Sequence, residues 1–536
     1  MVAKSNCLLL RCCIVSILFA LFSGGTSEAA DPVAADILLK DGTIFDGSGH
    51  EGVVGDVAIC GERIFGVGAF ALKDVKWEID CRGLVITPGF IDLHTHCDGP
   101  LVRPATRANV NYLMQGCTTV VTGNCGSGPI DVADFYDNID AAGAGTNVLH
   151  LLPQGSLRSR VMGTAQRKAT PDELSEMKRL ADKGMSDGAW GMSTGLIYVP
   201  SSYADTDELV EIAKVIAAHG GIHASHIRNE NTEVLEAVNE VIEIGRRAGL
   251  PTHISHFKSC GREAWGLVRR AAEAIEAARQ SGQKVTADQY PYIASSTSLD
   301  AMLIPPWARA GGRKALIARF DDPKTAGKLK ADMRAALKKR EGGRAMQIAS
   351  YSPRTDWVGK NLAEIAQSER KHPLDLAIEI SRNGGASIVN FSMSEDDVRH
   401  IMQIPWVATA SDGRSYVPAA DRPHPRSYGT FSRKIGFYAI REKVLPLALA
   451  IRSATGLPSD IFGLADRGYL KAGFYADVTI FDPETFIDKA TFDAPHRYSQ
   501  GLHYVFVNGH PSVFAGIPTG ALAGRALRHG RPDESK

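Results

Sequence analysis

Between about residue 86 and residue 440 the chain repeats one pattern, a short apolar run followed by an amphipathic stretch. Cys117-Thr-Thr-Val-Val-Thr-Gly123, Gly191–Ile197, Gly221–His226, Pro251–His256 and Lys284–Tyr290 read as strands. Asp207–His219, Glu230–Ala248 and Glu263–Gln280 read as the helices between them, with Asp207 as the N-cap of the first. A helix between two strands returns the chain to the same edge of the sheet, so the strands run parallel. Sustained over roughly 350 residues, the alternation predicts an α/β fold centred on a (β/α)8 barrel. A barrel of that size absorbs most of a 536-residue chain as one unit.

The two ends read differently. Residues 35–83 alternate apolar and polar, with Lys40-Asp41-Gly42 and Cys60-Gly-Glu-Arg63 as hairpin-like turns. Gly468–Asp482 and Leu502–Gly509 read as strands near the other end. Neither group has enough strands for a core of its own, so the ends are expected to combine. The division is then a composite β-sandwich from 31–85 and 441–536, around a barrel at 86–440. An insertion at about 300–360, rich in Lys and Arg and including Lys338-Lys339-Arg340, interrupts the barrel rhythm. It reads as a solvated helical insertion or as a lid that steers anionic substrates.

Residues 1–30 have the form of a signal peptide. Lys4 and Arg11 precede the apolar run Cys12–Phe22, and Ser27-Glu-Ala-Ala30 offers a cleavage site. The run is shorter than a bilayer requires, although an uncleaved anchor is the alternative. The expectation is export, to a bacterial periplasm, with no stable membrane association after cleavage. Lys plus Arg and Asp plus Glu both number 60, so charge gives no reason to expect nucleic acid or an anionic membrane as partner. Six cysteines remain beyond the leader, an even number that permits disulfides in an exported protein.

Working residues of a barrel cluster at the C-terminal ends of its strands. His94 and His96 end the apolar run Leu84–Asp98, and residues two apart on a strand share a side. An H-x-H pair alone is weak, since two ordinary histidines at a strand exit look the same. The other strand ends add Cys125, His226, His256 and Asp412, a set suited to one or two zinc ions. His223 and His253 fall three residues before His226 and His256, on the opposite face, and read as packing residues. Cys97 and Cys117 compete with Cys125, and spacing alone leaves that choice open.

Pro88–His96, Gly123-Asn-Cys-Gly126, Gly191–Pro200, His226–Glu230, Ile254–Lys258, Asp288-Gln-Tyr-Pro-Tyr292, Ser411-Asp-Gly413 and His424–Phe431 together resemble the N-acyl-D-amino-acid deacylases (D-aminoacylases) of the amidohydrolase superfamily. The resemblance runs over nearly all of residues 35–525. It implies zinc held tightly by Cys125, His226 and His256, and a second, weaker position among His94, His96 and Asp412. It implies that Cys125 stands where relatives use a carboxylated lysine. Lys258, Tyr290, Ser296 and Arg426 match positions that hold a substrate carboxylate, and Ile197 and Met393 match an apolar pocket. The implied reaction is hydrolysis of a small N-acyl-D-amino acid, with Asp412 moving the proton. A cyclic amidase of the dihydroorotase or hydantoinase kind, or a non-catalytic binding protein on the same barrel, is the alternative. The preferred acyl group and the oligomeric state are not legible.

Overall fold

The computed structural model describes residues 33–530. The expected leader, residues 1–30, lies outside the described residues. At the centre, Phe90–Asp92 pairs in parallel with Cys117–Thr122, and that strand with Asn147–His150. The third stave bends at Leu151 and continues as Leu152–Pro153, which pairs with Gly191–Gly195. Ile222–His226, Thr252–Ile254, Val285–Gln289 and Val407–Thr409 follow in parallel order. The circle closes where Asp412 N donates to His94 O and His96 N to Gly413 O. The strands are almost wholly buried, as parallel strands covered by helices must be.

Outside, Val234–Ala248 turns Val238, Val241 and Ile244 inward and stops at Gly249, whose φ of 73° is left-handed. Asp205, rather than Asp207, caps the helix Thr206–Ala218, accepting from Glu208 N at 2.9 Å. The cap falls two residues earlier than the apolar periodicity shows, which leaves Asp207 inside the first turn.

The chain ends meet in one nine-stranded sheet. Val85–Pro88 from the front pairs antiparallel with Val478–Phe481 from the back. Ile64 N donates to Phe474 O, so the far edge of the sheet folds round toward the C-terminal strands. Ile37, Val57, Ile59 and Ile64 share one core with Val478, Ile480 and Phe506. Lys40-Asp41-Gly42 is no hairpin turn. It is an irregularity within the single strand Val33–Ile44, with Asp41 at φ 59°. The return to the sheet also comes later than 441. Helices Leu447–Ala454 and Gly456–Phe462 still pack on the barrel, Ala450 in one core with Phe90 and Phe462 in one with Leu93.

The insertion is larger than expected. It carries an antiparallel sheet of Ala294–Ser298, Ser387–Phe391 and Met346–Ser350 beside its helices, with a core of its own around Leu329, Met333, Ile365 and Ile388. Ala-Ser-Ser-Thr-Ser at its first strand has no apolar alternation, which hid it. Cys60, Cys81, Cys97, Cys117, Cys125 and Cys260 are all free thiols.

Candidate metal and catalytic site

Five strand ends bring one side chain each to the same point. His226 is the last residue of its strand, and His94, Cys125, His256 and Asp412 stand just beyond theirs. Three of them sit in left-handed backbone, Cys125 at φ 53°, His256 at 39° and Asp412 at 51°. Non-glycine residues hold such angles at a cost, and do so mostly where function demands it.

Cys125 Sγ lies 3.3 Å from His94 Nε2, 3.6 Å from His226 Nδ1 and 3.7 Å from His256 Nε2. A tetrahedral zinc with bonds of about 2.3 Å to sulfur and 2.05 Å to nitrogen separates those donors by about 3.6 Å. The donors present therefore fit zinc. Asp412 Oδ1 is 3.0 Å from His96 Nε2 and 3.6 Å from His94 Nε2. Cys125 belongs both to the group with His226 and His256 and to the group with His94 and His96, so two overlapping positions share its sulfur. Cys117 is buried in its strand and Cys97 in the core, away from these groups.

The electrostatics also favour a cation. Burial pushes the Cys125 thiol up, but His94, His226 and His256 outweigh it and hold the thiol well below its ordinary value. Burial likewise raises the Asp412 carboxyl, and Arg426, His96 and His94 more than reverse that. His96 is pushed down by burial and up, to about 9, by Asp412 and Cys125. His94 and His256 are likewise raised while burial lowers His226, so on balance the pocket favours positive charge.

Three carboxylates that sequence reasoning did not assign, Asp92 and Asp288 buried and Glu230 partly so, hold this cluster. Asp288 Oδ2 is 3.3 Å from His94 Nδ1 and 2.9 Å from His253 Nε2, while Oδ1 accepts from His256 N at 2.7 Å. Glu230 Oε1 is 2.9 Å from His256 Nδ1 and accepts from Lys258 Nζ at 2.5 Å. Asp92 accepts from His94 N and Ser411 N at 3.1 Å each, tying the first strand to the eighth. Metal-binding histidines commonly give their second nitrogen to a carboxylate. That rule, applied to a carboxylate four residues after His226, is the signal that would have found Glu230; of His94, Asp92 takes only the main-chain N and has no such signal.

Above the cluster opens a cavity of about 1320 Å3. Lys258, Tyr290, Ser296, Arg426 and Ile197 all line it. The Tyr290 hydroxyl is buried without a partner, and the Arg426 guanidinium stacks 4.8 Å above the Tyr290 ring. Arg426 Nη1 lies 2.8 Å from Asp412 Oδ2, off the hydrogen-bonding direction, so the two form an ion pair. Ser296 donates to Ile388 O at 3.0 Å. Met393 does not line this cavity, contrary to expectation. It follows the last strand of the insertion and packs behind the wall with Cys260, Tyr290 and Tyr292. His223 and His253 bond Thr194 and Asp288 inside the barrel. The insertion meets the cavity through Ser295–Ser298, Met302, Ala349, Ser350 and Ser387, and the basic helix Ala326–Lys338 lines none of it.

The Amidohydrolase family model matches residues 78–513. This chain belongs to the amidohydrolase family. It is 36% identical over 521 residues to a D-aminoacylase of Alcaligenes xylosoxydans xylosoxydans, covering 93% of this chain and 98% of that one. A solved D-aminoacylase has a TM-score of 0.80 at 33% identity, covering 92% of this amidohydrolase and all (100%) of its own chain. An N-acyl-D-glutamate deacylase of Bordetella bronchiseptica, solved with zinc and a phosphonate mimic of the tetrahedral intermediate, has a TM-score of 0.79 at 31% identity, covering 92% and 100%. Both likenesses support the barrel with its β domain and place the chain among enzymes.

The geometry places Cys125, and not Cys117, among the donors that fit a metal ion. Cys125→Ala is expected to lose the tightly held zinc and the activity together, and Cys117→Ala to keep both. Zinc per chain, measured by atomic emission after dialysis, checks this, and full occupancy in Cys125→Ala would count against it.

Proposed function

We propose that this amidohydrolase hydrolyses N-acyl-D-amino acids to a carboxylate and a free D-amino acid. The observation that carries the proposal is the convergence of one thiolate, four imidazoles and Asp412 beneath a cavity walled by Arg426, Lys258 and Tyr290. Identity to D-aminoacylase along the whole chain supports it. Zinc, held by Cys125, His226 and His256 with a second position at His94, His96 and Asp412, supplies Lewis acidity toward the acyl carbonyl and toward water when bound.

The protein's own groups do the rest. Arg426 receives the substrate α-carboxylate as a charged fork, with the unpartnered Tyr290 hydroxyl and the Ser296 hydroxyl beside it. Lys258, whose amine is held by Glu230, adds positive potential to that wall. Asp412, ionised by its surroundings, accepts the proton of the attacking water. It returns that proton to the amine nitrogen, which would otherwise leave as an unstable anion.

The side-chain class follows from charge. Both inner cations already have a carboxylate, Lys258 with Glu230 and Arg426 with Asp412. Among the described residues, the insertion adds no Lys, Arg or His to the cavity wall. Arg103 and Arg414 also line the cavity but are exposed to solvent. A second substrate carboxylate seated beside Arg426 and Lys258 would meet no unpaired cation there, so an uncharged D-side chain is preferred. A screen of N-acetyl-D- and N-acetyl-L-amino acids tests this. N-acetyl-D-leucine or -methionine should exceed their L forms and N-acetyl-D-glutamate in kcat/KM. A faster L series, or ring opening without deacylation, would refute the proposal.

Asp412 and Arg426 touch, so their roles are coupled. Asp412→Asn should lower kcat by about 10²- to 10⁴-fold with zinc retained. Arg426→Ala should raise KM by roughly 10- to 150-fold and erode the preference for D over L. It should also lower kcat, because Asp412 loses the ion pair that orients it. In the Asp412→Asn background that kcat effect should vanish while the KM effect persists, which a double-mutant cycle reads directly.

Export is part of the proposal. The charged start and short apolar run support a mature N-terminus near Asp31. N-terminal sequencing of protein from the native host should find it, and an intact Met1 on soluble cytoplasmic protein would speak against export.

A further inference from the structure

We infer that Ser193 is the positioning residue for the Cys125 thiolate, although it lines no part of the cavity. The inference rests on the metal reading above. Ser193 lies in the fourth barrel strand, fully buried. Its hydroxyl donates to Gly123 O and accepts from Gly126 N at 3.0 Å. Those two glycines flank Asn124-Cys125, so one hydroxyl group spans the loop that carries the sulfur.

The loop needs such a clasp. Gly123, Cys125 and Gly126 all have left-handed backbone, at φ 74°, 53° and 69°. A backbone turning that way joins neither the helix nor the sheet ladders, and its polar groups need other partners. Asp98 Oδ1 takes Gly123 N at 2.6 Å, and Ser156 N donates to Gly126 O. Asn124 Nδ2 donates to Val121 O at 3.1 Å. Each of these holds one end. Among the described residues only Ser193 bonds both.

The surroundings leave no slack for an alternative path. A Cβ on Gly123 would stand 1.9 Å from Leu151 O, and one on Gly195 2.1 Å from Cys125 O. Removing the hydroxyl strands a buried carbonyl and a buried N–H. The loop can recover their hydrogen bonds only by shifting, and that shift moves Sγ. A metal–sulfur bond of about 2.3 Å tolerates little of this, and outer-shell partners of ligands typically carry 10- to 100-fold in affinity.

The test uses the full chain as Ser193→Ala and Ser193→Thr. Zinc affinity is measured by chelator competition, and the cobalt(II)-substituted proteins are examined for the thiolate-to-cobalt absorption band. Ser193→Ala should bind zinc 10- to 100-fold more weakly, with a weakened or shifted band. Ser193→Thr keeps the hydroxyl and should restore both. A residue that merely stabilised the barrel would lower the melting temperature of the metal-free protein and leave the cobalt band unchanged. Wild-type zinc affinity and an unchanged band in Ser193→Ala would overturn the role. If Ser193→Ala does not fold, Ser193→Cys, with a poorer donor, is read by zinc affinity alone, and a wild-type value there overturns it equally. A wild-type protein with no thiolate-to-cobalt band would instead overturn the metal reading, and this role with it.

Discussion

A fully buried carboxylate is held here by three donors from two strands. Asp288 meets His94, His253 and the backbone of His256, and with them joins the first, sixth and seventh staves. Burial alone would push its proton affinity up. His94 and His253 reverse this and keep it below the ordinary carboxylate range. An unpaired charge in that position would cost several kcal/mol, so the partners and the charge require each other. The result is that two imidazoles of the cluster cannot turn away from Cys125. His94 is fixed through its ring and His256 through its main chain. Glu230 completes the constraint on His256 by taking its other nitrogen.

The strain of the site is borne by the loops and the precision by the strands. Cys125, His256 and Asp412 hold angles that few side-chain-bearing residues adopt. Each is followed or preceded by hydrogen bonds from buried neighbours, Ser193 for Cys125, Asp288 for His256 and the His94 carbonyl for Asp412. The strands supply rigid anchor points, and the local turns aim donors inward that a regular strand would aim along its own pleat. The same arrangement leaves the cavity wall free to differ. Its outer part comes from the insertion, whose separate core lets it vary without disturbing the ligands.

Much of this was legible in the chain. Buried parallel strands leave apolar runs, and a histidine at the end of such a run stands out, which is why His94, His226 and His256 could be named from pattern. Cys125 could not be separated from Cys97 and Cys117 by spacing. Its distinction is a left-handed turn between two glycines, and φ is not written in composition. Asp92, Glu230 and Asp288 were missed because a carboxylate that serves a histidine has no periodicity of its own. The first strand of the insertion escaped notice because Ser and Thr alternate with nothing apolar there. Met393 was misplaced for a related reason. The turn after Phe391 sends it behind the cavity wall, and a motif match carries no information about which side of a wall a residue faces.

The pairing of Arg426 with Asp412 links recognition to chemistry. In the proposed mechanism the guanidinium that receives the substrate carboxylate also holds the carboxylate that takes the proton, since Arg426 and Asp412 form an ion pair. Before substrate arrives, Arg426 lowers the proton affinity of Asp412, which makes it a weak base. A substrate carboxylate arriving at Arg426 shares that positive charge. Asp412 then loses part of its stabilisation, and its proton affinity rises when a base is needed. Water entering an empty site meets the weaker base. Under the proposed mechanism the coupling would make correct seating of the α-carboxylate a condition for proton transfer, and a ligand without one would leave Asp412 restrained.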